Sequence, residues 1–359
     1  MVSTSIFYQS MRSKELSKQK ILRNDPGVLG GRVLGRVLER GPAGLGWDWG
    51  SGLLGHALAG QEADRKGCLR FLRSWVDRHL AAGTPISDSG GIPWKLGVGT
   101  AVLGLWRERS APRYDRRVRE MLAYAAGVPR FAGGLVASKA DRPEVWVDSL
   151  MTLCPFLARA GAEGISSTGG SEALEQLALH AGALQDPSSG LWYHAANVKS
   201  GRQLGQLWSR GNGWAIFGMV ETLELFPDVP ESATVRRVLR RTVDGLLAAQ
   251  SVDGSWHTVL DRPETFVETS GQAMLVHGLA KAARIGVLPA RLVRRAREAA
   301  WRGWIPLSGH VSDSGEVTGT SIGTAALDLG HYASRPTASW PVWGPAAVLL
   351  AAGELARPD

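Results

Sequence analysis

Helices of two kinds alternate along this 359-residue chain, and the alternation limits the folds it can adopt. One kind is rich in Gly, Ala, Ser and Thr, as in TSIGTAALDLG and VWGPAAVLLAAG. The other carries arginine runs, as in VRRVLRR (235–241) and RLVRRAREAAWR (291–302). Small residues allow close helix packing, whereas Lys and Arg keep their charged ends in water. We therefore predict an all-α fold, an (α/α)6 barrel in which six hairpins place small-residue helices inside basic ones.

Glycine-containing turns recur between these helices. They are GGIPW (90–94), GGLVA (133–137), SGLWYH (189–194), DGSWH (253–257) and SGEVTG (314–319), spaced roughly 45 to 65 residues apart, about one helix pair plus loops. No linker rich in Pro, Ser and Gly divides the chain. We therefore predict a basic N-terminal segment, residues 1–27, that is partly disordered, and a single barrel catalytic domain, residues 28–359.

Composition excludes several classes of protein. The N-terminus lacks the apolar core of a signal peptide, and no apolar run reaches the roughly 18 residues that a membrane span needs. Cys68 and Cys154 lie in apolar helical stretches, which predicts buried, reduced thiols. These features predict a soluble, cytoplasmic protein without a membrane partner.

The net charge of +8 raises the question of nucleic-acid binding. The arginine runs carry few aromatic residues, and no known nucleic-acid motif accompanies them. We expect them to solvate outer helix faces. The positive field would then draw in anionic substrates, with no specific nucleic acid as a partner.

The stretch WSRGNGW (208–214) is a costly way to begin a helix. Each of its glycines costs about 1 kcal/mol relative to alanine, yet the sequence that follows has helical periodicity. At the start of an inner helix, the glycines would allow close packing or the approach of a ligand. Trp208, Arg210 and Trp214 would then face the mouth of the barrel. A cation beside an aromatic wall suits a sugar that carries a carboxylate.

Two other stretches place a carboxylate and a histidine near the inner helices. In PEVWVDSLMTLCPFLARAG (143–161), Asp148 enters an apolar helix, where a carboxylate is rare unless it is hydrogen-bonded or used. A structural, capping aspartate is an equal alternative on this pattern. In DPSSGLWYH (186–194), His194 ends a turn that leads to WSRGNGW, although a hydrogen-bonded core histidine is also common.

Motifs for metal and cofactor chemistry are absent from the sequence. It contains no HExxH, CxxC, Walker A or strand-linked GxGxxG motif. We therefore predict that the protein uses neither a metal nor an organic cofactor.

Five motifs in order carry a resemblance to a known family. They are WVDSLMTLCPFLARAG, GLWYH, WSRGNGWAIFGMVETLE, DGSWHTVLDRPETFVETSGQAML and GEVTGTSIGT. They resemble the unsaturated glucuronyl and rhamnogalacturonyl hydrolases, glycoside hydrolase families 88 and 105. WDWGSGLLGHAL (47–58) is similar to the family's first inner helix. The resemblance implies an (α/α)6 barrel.

The resemblance also implies an unusual hydrolysis. The family's substrate is the 4,5-unsaturated uronic acid that a polysaccharide lyase leaves at a chain end. An aspartic acid protonates C4, water adds at C5, and the hemiketal opens and releases the aglycone. One carboxyl group acts as acid and then as base, unlike the paired acids of ordinary glycosidases. By the W-x-D motif, that residue is Asp148.

A set of substrate-binding residues follows from the same resemblance. It implies that Arg210 binds the substrate carboxylate, that Trp214 stacks on the ring, and that His194 orients Asp148 or the water. The expected ligand is an anionic unsaturated oligosaccharide or a related enol-ether small molecule. The full implied set is Trp47, Trp146, His194, Arg210, Asn212 and Trp214.

Two departures from the family leave alternatives open. Trp94 and Lys95 stand where the family often carries a second aspartate, and Ser138 in GGLVASK replaces its usual histidine. A changed aglycone, another enol-ether substrate or a lost activity would each account for these losses. One alternative is therefore a non-catalytic, sugar-binding barrel. Another is a cyclase of the terpene type, since QSVDGSW (250–256) fits a Q-x3-G-x-W motif, although it occurs once and without DxDD.

Overall fold

The computed structural model describes residues 24–86, 93–139 and 141–357. The predicted N-terminal segment thus lies outside the described residues up to residue 23, and so do residues 90–92 of the predicted turn GGIPW. The first helix begins at Pro26, where the Asp25 side chain accepts a hydrogen bond from the Val28 amide. Proline suits this first turn because its missing N–H would otherwise lack a partner.

Helices account for most of the described chain and form two rings. The inner ring comprises α2 (Trp49–Ala59), α4 (Gly99–Glu108), α6 (Asp148–Ala162), α8 (Ser209–Leu225), α10 (Thr269–Arg284) and α13 (Trp343–Leu355). The outer ring comprises α1 (Pro26–Arg40), α3 (Arg65–Ala81), α5 (Pro112–Gly127), α7 (Gly169–Leu184), α9 (Ser232–Ala249) and α11 (Ala290–Ser308). The connections contain a short helix, α12 (Leu329–Ala333), and two 3-10 turns, Trp94–Val98 and Ala132–Gly134.

Contacts between neighbouring inner helices close the ring. From α2 the contacts pass through the 3-10 turn Trp94–Val98 and α4 to α6, then to α8, α10 and α13, and α13 returns to α2. Each outer helix packs against an inner helix next to it in sequence or, for α1, against α13. The predicted (α/α)6 barrel is therefore confirmed.

The composition of the two rings follows from burial. Every residue of α8 from Ser209 to Leu223 is buried, whereas Arg237, Arg240 and Arg241 of α9 are exposed. The predicted outward orientation of this arginine run is confirmed. The glycines of WSRGNGW serve close packing: a Cβ atom on Gly213 would lie 2.6 Å from the Cβ atom of Met274 on α10.

The glycine turns share one structure in three hairpins. Gly190, Gly254 and Gly315 all have positive φ angles, which favour glycine. A Cβ atom at these positions would lie 2.3, 2.2 and 2.1 Å from backbone carbonyl oxygens of the outer helices α9, α11 and α1. At these three of the five predicted turns, the glycine therefore marks the point where the hairpin loop packs closely against an outer helix.

Strands in the described residues are short and lie in the connections. The strands β1 (Glu144–Trp146), β2 (Ala195–Asn197) and β3 (Arg202–Leu204) form an antiparallel sheet in that order. Trp146 pairs with Ala195, so the start of α6 lies beside His194. The local pairing thereby joins two motifs that are distant in sequence.

The segment TSIGTAALDLG does not form the inner helix that its composition predicted. Its start forms β4 (Thr320–Ser321), which pairs with β5 (Thr337–Ala338), and residues 322–328 form a loop. The sixth inner position belongs to α13. The loop instead folds onto Arg210, which donates hydrogen bonds to the carbonyl oxygens of Ser321 and Ile322.

Two further predictions concern thiols and membranes. Cys68 and Cys154 are buried free thiols, and burial raises the pKa of both. Within the described residues, no helix combines the length and the apolar character needed to span a bilayer.

Candidate active site

A cavity of about 380 Å³ lies at the end of the barrel where the inner helices begin. Trp49 starts α2, Asp148 starts α6, and Arg210 is in the first turn of α8, and all three line it. These inner helices therefore point the same end toward the cavity. Because helix N-termini carry partial positive charge, the site favours an anionic ligand.

Asp148 and His194 form a close pair at the cavity wall. The Val147 amide donates to the His194 carbonyl oxygen at 3.0 Å, which extends the β1–β2 pairing to the start of α6. His194 Nε2 lies 3.3 Å from Asp148 Oδ2. The Asp148 side chain is 21% exposed, although its Oδ2 is buried. The open part of the carboxyl group is therefore Oδ1, which faces the cavity.

The His194 ring is fully buried and held on several sides. Its centroid lies 4.3 Å from that of Trp208 and 5.0 Å from that of Trp146. Its Nδ1 lies 2.6 Å from the hydroxyl oxygen of Tyr332, a residue on α12. These contacts fix the position of Nε2 relative to Asp148.

Arg210 lies at the base of the cavity and is bonded within the protein. Its Nη1 lies 3.4 Å from Glu268 Oε1 and donates to Ser270 and Ser321, while its Nη2 donates to Ile322 and Thr324. Burial lowers the pKa of Arg210, and the Glu268 carboxylate opposes that shift. Because both terminal nitrogens already donate, the predicted bidentate contact with a substrate carboxylate would require these bonds to be exchanged.

Two other cations line the cavity with more freedom. Lys139 Nζ lies 4.0 Å from the Trp94 ring centroid and 4.8 Å from that of Trp146. Burial lowers the pKa of Lys139. Arg335 donates from Nη2 to the Gly323 carbonyl oxygen, and its Nε has no hydrogen-bond partner. Neither side chain forms an ion pair with a carboxylate in the described part of the chain.

The match to a family model decides the class of protein. Residues 35–358 match the model of Glycosyl Hydrolase Family 88. The chain belongs to this family and is a glycoside hydrolase. The unsaturated rhamnogalacturonyl hydrolase YesR of Bacillus subtilis (strain 168) is 28% identical over 325 residues, which cover 87% of this chain and 90% of YesR. The predicted resemblance is confirmed.

Solved structures agree with this family 88 assignment. A protein of Salmonella enterica described as a possible member of the GH105 family superposes with a TM-score of 0.77 at 25% identity, covering 86% of this chain and 82% of that one. The unsaturated glucuronyl hydrolase of Bacillus sp. GL1 superposes with a TM-score of 0.65 at 17% identity, covering 86% of each chain. The second likeness concerns the fold alone.

Besides His194, which lies buried behind Asp148, three of the predicted site residues of this family 88 protein do not line the cavity. Trp214 is fully buried and packs under Trp49, with ring centroids 5.9 Å apart. Trp47 is buried against Trp75, also at 5.9 Å. Asn212 is buried, and its side chain bonds the backbone of the preceding segments. Their positions do not support the predicted sugar contacts.

Trp146, His194 and Arg210 do lie beside Asp148, as the motifs predicted. Trp94, in the place of the expected second aspartate, lines the cavity. Ser138 instead supports the W-x-D segment, since its Oγ lies 2.7 Å from Ser149 Oγ and accepts from the Trp146 amide.

The terpene-cyclase motif has a structural role in this hydrolase. In QSVDGSW, Gln250 Nε2 donates to the carbonyl oxygens of Gly254 and Ala299, and Trp256 is buried. Gln185 makes the equivalent bond to Gly190 in another hairpin. The motif therefore belongs to the hairpin turn, and family membership rules against the cyclase alternative.

Sequence reasoning missed Lys139, Arg335, Glu268 and Tyr332. Of these four, Glu268 had the clearest signal in the sequence, because an acidic side chain directly before a helix can cap its N-terminus. In the structure its carboxylate caps α10 by accepting from the Ser270 and Gly271 amides. Elsewhere, in the described residues, no group of three or more His, Cys, Asp and Glu side chains is arranged to hold a metal ion.

Proposed function

We propose that this family 88 enzyme hydrolyses a 4,5-unsaturated uronyl glycoside, with Asp148 as its single general acid and base. One observation carries the proposal: Asp148 is the one carboxylate among the described residues that line the cavity. Ordinary glycosidases place two carboxyl groups about 5 to 9.5 Å apart across the scissile bond. A wall with one carboxylate fits an enol-ether substrate, whose double bond needs one proton donor.

The proposed reaction uses the same carboxyl group twice. Asp148 Oδ1 gives its proton to C4, and the positive charge that forms at C5 is shared with the ring oxygen. Water then adds at C5 and gives a proton to the Asp148 carboxylate. The C5 hemiketal opens to a ketone, and the hemiacetal left at C1 releases the aglycone. One water is consumed, and the acid is regenerated.

Charge around the cavity supports an anionic substrate. Three cations, Lys139, Arg210 and Arg335, face a single carboxylate, and the helix N-termini add positive potential. Arg335 Nε has no hydrogen-bond partner among the described residues, so we place Arg335 against the substrate carboxylate. Arg210 adds charge at the base of the site and holds the loop that follows β4.

Aromatic side chains supply the apolar walls for a sugar ring. Trp49, Trp94, Trp146 and Trp208 all line the cavity. Their faces suit the C–H surface of a pyranose, while the cations orient its carboxylate. Trp94 thus offers stacking where the family's second aspartate would have offered a hydrogen bond, which favours a less polar group at that position of the substrate.

The test is a panel of lyase-generated disaccharides with an unsaturated uronic acid at the non-reducing end. The panel should contain both rhamnogalacturonan and glucuronyl substrates, because the relatives are named for both. Loss of absorbance from the conjugated double bond, with release of the aglycone, is the expected result. Binding of a panel member by calorimetry without turnover would favour the sugar-binding alternative.

A further inference from the structure

We propose that Tyr332 is a positioning residue that fixes the tautomer of His194 and so keeps the acidic proton of Asp148 on the oxygen facing the cavity. The inference rests on the proposed role of Asp148 as the acid. Tyr332 does not itself line the cavity and would act through His194.

Tyr332 and His194 meet inside the protein. Both are fully buried, and the hydroxyl oxygen lies 2.6 Å from His194 Nδ1. Burial raises the pKa of Tyr332, so the hydroxyl keeps its proton. The rings of Tyr332 and His194 are in edge contact, with centroids 5.9 Å apart.

The direction of the hydrogen bond follows from the donors and acceptors present. The hydroxyl proton, buried with the ring, needs an acceptor of its own. Among the described residues, His194 Nδ1 is the acceptor at hydrogen-bond distance. Tyr332 therefore donates to Nδ1, and neutral His194 carries its hydrogen on Nε2.

This tautomer decides which oxygen of Asp148 carries the acidic proton. His194 Nε2 and Asp148 Oδ2 lie 3.3 Å apart, and both are buried without a hydrogen-bond partner among the described residues, so Oδ2 is the acceptor within reach of the Nε2–H group. With a donor beside Oδ2, the carboxyl proton is favoured on Oδ1, the oxygen open to the cavity. In the other tautomer, the Nε2 lone pair would draw that proton to Oδ2, away from a substrate.

The backbone around Gly205 is shaped to admit the Tyr332 hydroxyl. Gly205 has a φ angle of 74°, and a Cβ atom there would lie 2.4 Å from that hydroxyl oxygen and 3.0 Å from the His194 Cβ atom. A side chain at position 205 would therefore displace the hydroxyl. On the other side, Asp328 caps α12 by accepting from the His331 amide, which holds the helix that carries Tyr332.

The direct test is NMR of the ligand-free enzyme labelled with ¹⁵N-histidine, with the His194 signals assigned by their loss in His194→Gln. We expect a neutral His194 protonated on Nε2. In Tyr332→Phe we expect this preference to be lost. We also expect kcat to fall about 10- to 100-fold while KM stays within about twofold, because the ring remains in place and only the proton's position changes.

Tyr114→Phe is the matched control. Tyr114 is also buried, and its hydroxyl bonds to Arg113 on the outer helix α5. The control should leave kcat and the His194 tautomer unchanged. A wild-type His194 protonated on Nδ1 would overturn the inference, and so would a Tyr332→Phe variant that keeps both the tautomer and kcat. The NMR measurement needs no substrate, so its outcome stands apart from that of the proposed function.

Discussion

Asp148 is the residue on which the proposed chemistry depends, because at the start of α6 its Oδ2 is buried beside His194 and its Oδ1 is open to the cavity. Asp148→Asn keeps the shape and removes the proton. We expect kcat to fall by about two to four orders of magnitude while the substrate still binds. Stopped assays and calorimetry would measure both. Asp141→Asn, an exposed carboxylate in the preceding loop, is the control. A fully active Asp148→Asn enzyme would show that the acid is another group.

Arg335 is the cation that we place against the substrate carboxylate. In Arg335→Gln the charge is lost while one donor remains, so KM should rise about 10- to 100-fold, as expected for a charged hydrogen bond. Steady-state kinetics on a confirmed substrate would measure the change. Arg240→Gln, on the exposed face of α9, should leave KM unchanged. An unchanged KM in Arg335→Gln would assign the carboxylate to Lys139 or Arg210 instead.

At the level of single residues, the sequence predicted that Asp148 and His194 belong to one site, but not what surrounds them. Asp148 and His194 were identified because each lies in a motif whose order along the chain matches a family. Trp214 was misplaced because a motif does not show which face of α8 reaches the cavity, and Trp49 covers that position. Tyr332 lies on the short helix α12 and Arg335 in the loop that follows it, both outside the motifs, and only tertiary packing brings them to the site.

Among the structural elements, the hairpin turns give the most specific prediction about the stability of the protein. Gly254 has a φ angle of 93°, and a Cβ atom there would lie 2.2 Å from a carbonyl oxygen of α11. We expect Gly254→Ala to lower the free energy of unfolding by about 1 to 3 kcal/mol. Gly182→Ala is the matched control, since this exposed glycine in α7 has no atom within 4 Å of its would-be Cβ. The control should be neutral or raise stability by up to about 1 kcal/mol.

Urea unfolding of both glycine variants provides the measurement. Equal effects at the two positions would mean that the turn geometry is not what the glycine repeat preserves. A stable Gly254→Ala protein would further imply that the loop can move away from α11 at little cost.

The elements were predictable where composition and burial agree. Inner helices are small-residue segments and outer helices carry arginine, because ring closure needs close approach and the surface needs charge. TSIGTAALDLG has the composition of an inner helix but forms β4 and a loop, because its polar groups accept hydrogen bonds from Arg210. Composition alone could not distinguish packing against helices from packing against a buried cation.

The two ends of the barrel differ in how their charged side chains are paired. At the cavity end, the cations Lys139 and Arg335 have no carboxylate partner among the described residues. At the other end, Lys281 contacts Glu221 and lies 2.7 Å from Glu224, which in turn lies 2.7 Å from Arg284. Although burial raises the pKa of Glu221, Lys281, His56 and His277 together lower it more, and the pKa lies well below its usual value. The ion pairs at this second end stabilise the fold, whereas the unpaired cations at the cavity end remain available to a ligand.

The stability of the whole barrel should depend on pH through His180. Burial lowers the pKa of this fully buried outer-helix histidine to about 4, against about 6.5 in an unfolded chain. Between these values the unfolded state binds the proton and the folded state does not. His180 should therefore cost roughly 3 kcal/mol as pH falls from about 6.5 to 4, and nothing above that range.

Denaturant unfolding at several pH values would measure this dependence in the wild type and in His180→Gln. The variant should show a flatter decline between pH 6.5 and pH 4, whatever its stability at neutral pH. If the free energy of unfolding declined identically in the two proteins, the acid sensitivity would come from other groups, such as the Glu221 and Glu224 carboxylates.

The most direct test of the account is real-time proton NMR of the wild-type enzyme acting on an unsaturated disaccharide in deuterated water. We predict that the vinyl H4 signal disappears in step with release of the aglycone, and that the first-formed product carries one deuterium at C4, on one face. Release of the aglycone while the C4–C5 double bond persists in the freed uronic acid would contradict the account, because the glycosidic bond would then have been cleaved directly.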